Sequence, residues 1–141
     1  MTPDYWQQAS FELARADSVM ADFVERFSGA SLVSRGEPFV TLARSIVGQQ
    51  ISVKAADSVW ARLSMAIPVM TPAAVLDCDT ATLRACGLSA RKVEYLGDLA
   101  THFSAGKIHL GRWALMSDPE IITELTAVRG IGVWTVEMFL I

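Results

Sequence analysis

Signals that begin and end short helices recur along the whole chain, and they leave little room for other secondary structure. Residues able to cap a helix, some followed by a first-turn proline, precede apolar segments at Thr2-Pro3, Asp17, Ser52, Thr71-Pro72, Asp79, Ser89 and Ser117-Asp118-Pro119. The apolar alternation that is typical of strands is almost lacking. The sequence therefore predicts an all-α helical bundle of eight or nine short helices, the first over about 4–16.

Two of the predicted helices lie next to each other in the first half of the chain. From Pro38 onward, apolar residues follow the 3.6-residue period of a helix at Phe39, Leu42, Ala43, Ile46 and Val47, and again at Val53, Ala56, Val59, Trp60 and Leu63. The segment "GQQIS" interrupts the pattern. We therefore expect two core helices that meet at 48–52.

Composition limits the classes of protein that remain. A chain of 141 residues is long enough for one domain with a single core. Its apolar runs fall short of the roughly 20 residues that a membrane span needs, so no membrane partner is expected. The absence of a signal-like N-terminus and the presence of only two cysteines, Cys78 and Cys86, favour a cytoplasmic protein with free thiols.

The segment "LTAVRGIGVWTVEMFL" at 125–140 predicts two helices joined by a tight turn. Glycine at Gly130 and Gly132 would let the main chain take positive φ and let another chain approach closely. The unpaired N–H groups at the start of the second helix, together with the helix dipole, favour a phosphate there. Such a site needs no lysine, so the net charge of −3 does not exclude nucleic acid. A turn that only packs two helices together is the alternative that this motif leaves open.

Three segments carry a resemblance to a known family. The 125–140 segment resembles the helix-hairpin-helix of the base-excision DNA glycosylase superfamily (HhH-GPD). "FVTLARSIVGQQISVKAADSVWARL" and "LRACGLSARKVEYLGDLA" are similar to the preceding core helices of its 3-methyladenine DNA glycosylase II branch. The resemblance runs from about residue 5 to 141, with the hairpin at about 118–141. It implies a monofunctional hydrolase that flips alkylated purines out of double-stranded DNA and cleaves their N-glycosidic bond in base excision repair.

The resemblance also implies roles for the backbone of the hairpin. The residues whose backbone amides would bind a DNA phosphate are Gly130, Gly132 and Thr135. The residues whose carbonyls would hold a monovalent cation, Na⁺ or K⁺, are Thr126, Val128 and Ile131. No other cofactor is expected.

The second hairpin helix would face the flipped base. Trp134 stands where bifunctional relatives carry a lysine nucleophile, so a Schiff-base lyase is not expected. An aromatic wall at Trp134 suits an electron-poor alkylated purine, and Met138 lies one turn further on the same face. Core packing is the alternative for both side chains.

The interruption at 48–52 lies where the family inserts a side chain into the hole left by the flipped base. An amide at Gln49 or Gln50 could fill that gap and bond to the orphaned base, and the sequence does not choose between the two. Ser52 is expected to cap the next helix. Lys54 and Arg44 could reach backbone phosphates or lie in solvent.

Monofunctional relatives stabilise the positively charged sugar with an aspartate that follows the second hairpin helix. That position lies beyond Ile141, so we expect no catalytic residue in this chain. The expected domain at 1–141 is therefore incomplete, lacks C-terminal helices and is a monomer when complete. A non-catalytic helix-hairpin-helix DNA-binding module is the main alternative, and a helical scaffold without a DNA role is a third.

Overall fold

The computed structural model describes residues 2–34 and 36–141, and over those ranges its regular structure is entirely helical. Within these two ranges, nine α-helices and one 3₁₀-helix follow one another. They are α1 (Trp6–Ala16), α2 (Ser18–Arg26), α3 (Pro38–Gly48), α4 (Val53–Ala66), α5 (Pro72–Asp77), α6 (Thr80–Ala85), α7 (Ala90–Ser104), the 3₁₀-helix (Leu110–Leu115), α8 (Asp118–Thr126) and α9 (Val133–Leu140). None of these helices is long and apolar enough to cross a membrane. The all-α prediction is confirmed, and the chain divides into two compact units at 1–36 and 37–141.

The first unit consists of α1 packed against α2. As predicted, Asp17 caps α2, because its carboxylate accepts the N–H groups of Val19 and Met20 at 2.8 and 3.0 Å. The predicted cap at Thr2 is wrong. The Trp6 N–H bonds back to the Pro3 carbonyl in a turn, so α1 starts only at Trp6, while the Thr2 hydroxyl contacts Ser31 at 3.2 Å.

The second unit is built around α7, which packs against α3, α5 and α6. All five apolar residues predicted for the core face of α3 are buried. On α4 the prediction holds for Val59 and Leu63, and Trp60 packs partly buried against the core. Val53 is the exception at 79% exposed, because the first turn of α4 extends past the core.

Local caps define most helix starts in the second unit. Ser52, Thr71, Asp79 and Ser89 each accept the N–H group three residues later, at 2.8 to 3.2 Å. At α8 the N–H and hydroxyl groups of Ser117 both bond to the Glu120 carboxylate, at 2.7 and 2.8 Å. These starts agree with the sequence prediction because each is determined within four residues of chain.

The 3₁₀-helix was not predicted. Contacts with α8 hold it in place, since the Glu124 carboxylate accepts the backbone N–H of His109 at 3.0 Å and the Trp113 indole N–H at 2.8 Å. Burial raises the pKa of Glu124, but these hydrogen bonds, together with the hydrogen bond and the charge of the His109 side chain, outweigh it and hold that pKa below its usual value. The Trp113 ring also packs edge-on against Phe139 of α9. The 3₁₀-helix thus secures both helices of the hairpin from one side.

Candidate functional site

The turn between α8 and α9 contains the two glycines singled out in the sequence, and they have different conformations. Gly130 has a φ of +86°, in the left-handed region, as predicted. For Gly132 the prediction of positive φ is wrong, because this residue is the N-cap of α9 with φ −97° and ψ 170°. Any residue adopts that extended backbone, so conformation alone does not require glycine at 132.

The space around each glycine also differs. A methyl group on Gly130 would come within 2.3 Å of the Tyr95 ring on α7, so this glycine is required by contact with the protein itself. A methyl group at Gly132 would meet no heavy atom within 4 Å. Gly132 therefore presents its backbone to open space, where a second molecule can approach it.

Side chains from α7 and from the end of α3 fix the turn. The Asp98 carboxylate accepts the backbone N–H of Arg129 at 2.8 Å, and the Arg129 guanidinium lies 3.4 Å from Glu94. The Gln49 side-chain amide donates to the Gly130 carbonyl at 2.7 Å. The predictions did not include Tyr95, Glu94 or Asp98, whose only sequence signal was their place in a segment that resembles the family.

The start of α9 faces outward. Among the described residues no side chain caps this helix, so no side-chain oxygen satisfies its first-turn N–H groups, which also lack partners within the helix. The first residues of the helix, from Gly132 to Trp134, are exposed. Ile131 and Val136 are buried and anchor the helix on its inner side, while Thr135 is half-buried. This is the geometry of an anion site built from backbone amides.

Trp134 and Met138 lie on the exposed side of α9. Trp134 is 71% exposed and Met138 is 51% exposed, so neither side chain is buried within residues 1–141. They are four residues apart and share one face of the helix. An aromatic ring and a thioether therefore form an apolar surface beside the uncapped start of α9.

The two glutamines at the α3–α4 junction have unlike surroundings. Gln49 is half-buried and faces the hairpin, whereas Gln50 is exposed and has a φ of +57°, in the left-handed region that non-glycine residues rarely adopt. Ser52 caps α4, as expected. The junction therefore directs one amide inward and leaves the other accessible.

The basic residues near this junction differ in their partners. Lys54 is exposed in the first turn of α4. Arg44 pairs with Asp57 at 2.8 Å, and its guanidinium lies 5.8 Å from the centre of the Trp60 ring. Lys92, which the sequence analysis did not single out, donates to the Val47 carbonyl at 2.7 Å, and burial lowers its pKa. Lys92 thus provides a hydrogen-bond donor for a backbone carbonyl in the last turn of α3.

The carbonyl groups expected to hold a cation belong to the same turn. The Val128 carbonyl accepts the Ile131 N–H at 3.2 Å and keeps a second lone pair. The Thr126 side chain is occupied, because its hydroxyl donates to the Ile122 carbonyl at 2.7 Å, so only its backbone oxygen is a candidate. Three neutral backbone oxygens, including that of Ile131, fit a monovalent cation in charge and hardness.

Comparisons with known proteins match this part of the chain. A family model described as "HhH-GPD superfamily base excision DNA repair protein" matches residues 43–134, which include the α3–α4 junction, α7 and the hairpin as far as Trp134. DNA-3-methyladenine glycosylase 1 of Schizosaccharomyces pombe is 38% identical over 113 residues, which are 77% of this chain and 50% of that protein. The DNA-3-methyladenine glycosylase of Saccharomyces cerevisiae is 37% identical over 73% of this chain and 38% of its own length.

Solved structures give the same result. The 3-methyladenine DNA glycosylase of S. pombe in complex with abasic DNA superposes with a TM-score of 0.77 at 30% identity, over 94% of this chain and 68% of that one. A DNA-3-methyladenine glycosidase from Bacillus halodurans gives 0.76 at 33% identity, over 79% of this chain and 52% of that one. The chain spans half or less of the length of the two curated yeast relatives. By its matched motifs and its fold, the chain belongs to the HhH-GPD superfamily of base excision DNA repair proteins.

Proposed function

We propose that this chain supplies the DNA-binding and base-receiving part of a monofunctional DNA glycosylase that hydrolyses the N-glycosidic bond of alkylated purines in duplex DNA. The observation that carries the proposal is the start of α9, where an uncapped helix end and the open side of Gly132 adjoin the exposed Trp134. The names of the relatives support 3-methyladenine as the type of base.

The first step is binding of one DNA phosphate by the hairpin. The donors are the backbone amides of Gly132 and of the first turn of α9, which includes Thr135. Gly130 fixes the turn that precedes them. The positive end of the helix dipole adds to the attraction. Lys54 stands exposed on α4 and suits a second phosphate. Backbone amides bind every sequence alike, so this contact positions the protein without selecting a base sequence.

A monovalent cation fits the same turn. The carbonyls of Thr126, Val128 and Ile131 would hold Na⁺ or K⁺, and the ion would add positive charge next to the bound phosphate. Within the hairpin the Ile131 N–H bonds to the Val128 carbonyl, and from α3 the Gln49 amide bonds to the carbonyl of the intervening Gly130.

Replacing Gly132 with valine should weaken DNA binding about tenfold, since hydrogen bonds to charged groups contribute about 1.5 kcal/mol or more and the added side chain would obstruct the phosphate. The fold should survive, because no protein atom lies within 4 Å of the added Cβ. The measurement is the affinity for undamaged duplex at low salt, with the natural protein.

Gly111→Val is the matched control. Its Cβ position in the 3₁₀-helix is equally open, and it lies outside the hairpin. The control should bind DNA like the wild type. An unchanged affinity of Gly132→Val with the fold intact would remove the hairpin from the DNA interface.

Trp134 and Met138 receive the flipped base in this proposal. An alkylated purine is electron-poor and often cationic, so stacking and cation–π attraction favour an aromatic face over a charged side chain. The exposed ring at Trp134 offers that face. A lysine nucleophile does not stand at this position, which supports hydrolysis over a lyase reaction.

Gln50 is the residue that is better placed to enter the space that a flipped base leaves in the duplex. Its exposed side chain follows a left-handed backbone position, whereas the Gln49 amide is already bonded to the hairpin. Holding a non-glycine residue at positive φ costs about 1 kcal/mol or more, which is typical of a residue that the surrounding structure keeps in place for a function.

Gln50→Ala should reduce base release from duplex DNA about fivefold to tenfold and leave release from single strands nearly unchanged. Only in duplex DNA does flipping of the base leave a gap and an unpaired partner base with which the amide can form a hydrogen bond. Release of alkylated base from matched duplex and single-stranded substrates measures the difference. An equal loss on both substrates would exclude the insertion role for Gln50.

The reaction also needs a carboxylate beside the sugar, to stabilise positive charge as the neutral base departs and water adds. Several aspartates of the chain have other partners: Asp57 pairs with Arg44, Asp79 caps α6 and Asp98 holds Arg129. Because the family resemblance places this carboxylate after the second hairpin helix, we propose that the catalytic aspartate comes from a part of the protein outside residues 1–141.

A further inference from the structure

We propose that Gln49 is a positioning residue, which holds the phosphate-binding backbone of the hairpin in register and does not itself contact DNA. The inference rests on the proposed function of the hairpin and assigns a role in it to a residue from another part of the chain. Gln49 and Gly130 are 81 residues apart in sequence, yet the bond between them is among the shortest side-chain contacts of the turn at 2.7 Å.

The position of Gln49 keeps its side chain in place. It is the C-cap residue of α3, its backbone N–H bonds to the Ile46 carbonyl at 3.3 Å, and its side chain is half-buried. The end of α3 is held from the other side by Lys92, bonded to Val47. The Gln49 amide therefore projects from a fixed point of the core.

The bond acts on one peptide group of the turn. The Gly130 carbonyl and the Ile131 N–H belong to the same peptide unit. The Gln49 side chain donates to the oxygen of this unit, and the Ile131 N–H donates to the Val128 carbonyl at 3.2 Å. With both ends bonded, this unit cannot rotate freely. Its rotation would redirect the N–H groups of Gly132 and of the first turn of α9, which immediately follow.

A second consequence comes from the neighbouring residue. Gln50 extends to solvent from the same junction at which Gln49 faces the hairpin. The bond from Gln49 to Gly130 joins the junction that carries the proposed inserting side chain directly to the turn that carries the phosphate-binding amides. Together with the packing of α3 against α9, Gln49 therefore sets the distance between two contacts with the same DNA molecule.

The test uses Gln49→Met in the natural full-length protein, because methionine keeps the length of the side chain and removes the donor. Affinity for undamaged duplex and for single strands should both fall about threefold to tenfold, the usual effect of losing one hydrogen bond. The slope of log affinity against log salt for duplex should stay as in the wild type, because the amides that lose their register are neutral and no Lys or Arg contact is removed. Values are taken per active molecule, from stoichiometric titration.

Ser45→Ala is the matched control. Its hydroxyl donates to the Thr41 carbonyl at 3.0 Å within α3, so the variant also removes a half-buried bond from a side chain to a carbonyl, without change of charge and without reaching the hairpin. Its affinity and salt slope should equal those of the wild type. A structural loss alone would lower the active fraction and leave the affinity per active molecule unchanged.

Two outcomes overturn the inference while leaving the proposed function in place. One is a wild-type affinity per active molecule in Gln49→Met. The other is a loss confined to duplex DNA, which would make Gln49 a residue that contacts DNA directly. Absence of DNA binding by the wild type would instead refute the proposed function of the hairpin.

Discussion

Replacing Gly130 with alanine should destabilise the fold by about 2 to 5 kcal/mol, the largest effect on stability that we expect from adding one methyl group to the hairpin. A residue with a side chain at a φ of +86° costs about 1 to 2 kcal/mol. The methyl group would also come within 2.3 Å of the Tyr95 ring, and such overpacking costs about 1 to 3 kcal/mol. The free energy of unfolding, measured in urea, tests the sum.

Gly97→Ala provides a control of opposite sign. Gly97 lies inside α7, and a methyl group there meets no heavy atom within 4 Å. Alanine should therefore stabilise the chain by up to about 1 kcal/mol, through its higher helix propensity. Equal stabilities of wild type and Gly130→Ala would mean that the Tyr95 ring does not pack on the turn as described.

Trp134→Ala should lower the release of alkylated purine about tenfold to a hundredfold, since stacking of one base on an aromatic side chain contributes about 1 to 3 kcal/mol. Stability should change little, because the ring is 71% exposed. Trp134→Phe should recover part of the activity, because it restores an aromatic face. The measurement is single-turnover release from methylated duplex by the natural protein.

Leu115→Ala is the control for loss of exposed apolar surface. Leu115 is 89% exposed on the 3₁₀-helix and belongs to no part of the proposed site. Its release rate should match that of the wild type. If Trp134→Ala also released base at the wild-type rate, another surface would have to receive the flipped base.

Helix starts were predictable where a single side chain determines them within one turn. Asp17, Asp79, Ser89 and Ser117 cap the expected helices, because their partners lie two or three residues away. Thr2 has the same chemistry and fails, because its hydroxyl bonds to a distant serine. The 3₁₀-helix was missed for the same reason, since the Glu124 carboxylate that holds it comes from α8.

The hairpin was predictable in outline but not in its internal support. Its two glycines and the two helices that they join follow from the local pattern. The contacts from Tyr95 and Gln49 join segments that are far apart in sequence, so no local rule could have found them. The conformation of Gly132 was wrongly predicted because the sequence does not distinguish a glycine needed for positive φ from one that leaves space for another molecule.

The two glutamines illustrate the same limit. The sequence predicts that one amide at this junction enters the duplex, and it does not distinguish Gln49 from Gln50. The structure separates them by direction, since one amide bonds inside the fold and the other is exposed. That distinction depends on how α3 packs near α9, which only the folded chain determines.

The most direct test of the whole account is release of free 3-methyladenine from methylated duplex DNA by the natural protein, measured beside Gly132→Val purified in the same way. At DNA concentrations below saturation, the account predicts release by the wild type and a rate about tenfold lower in the variant, because the phosphate contact is lost before the base is flipped. Duplex binding without release by the wild type would instead indicate a non-catalytic DNA-binding module. Equal release by both proteins would contradict the central claim that the hairpin backbone holds the DNA.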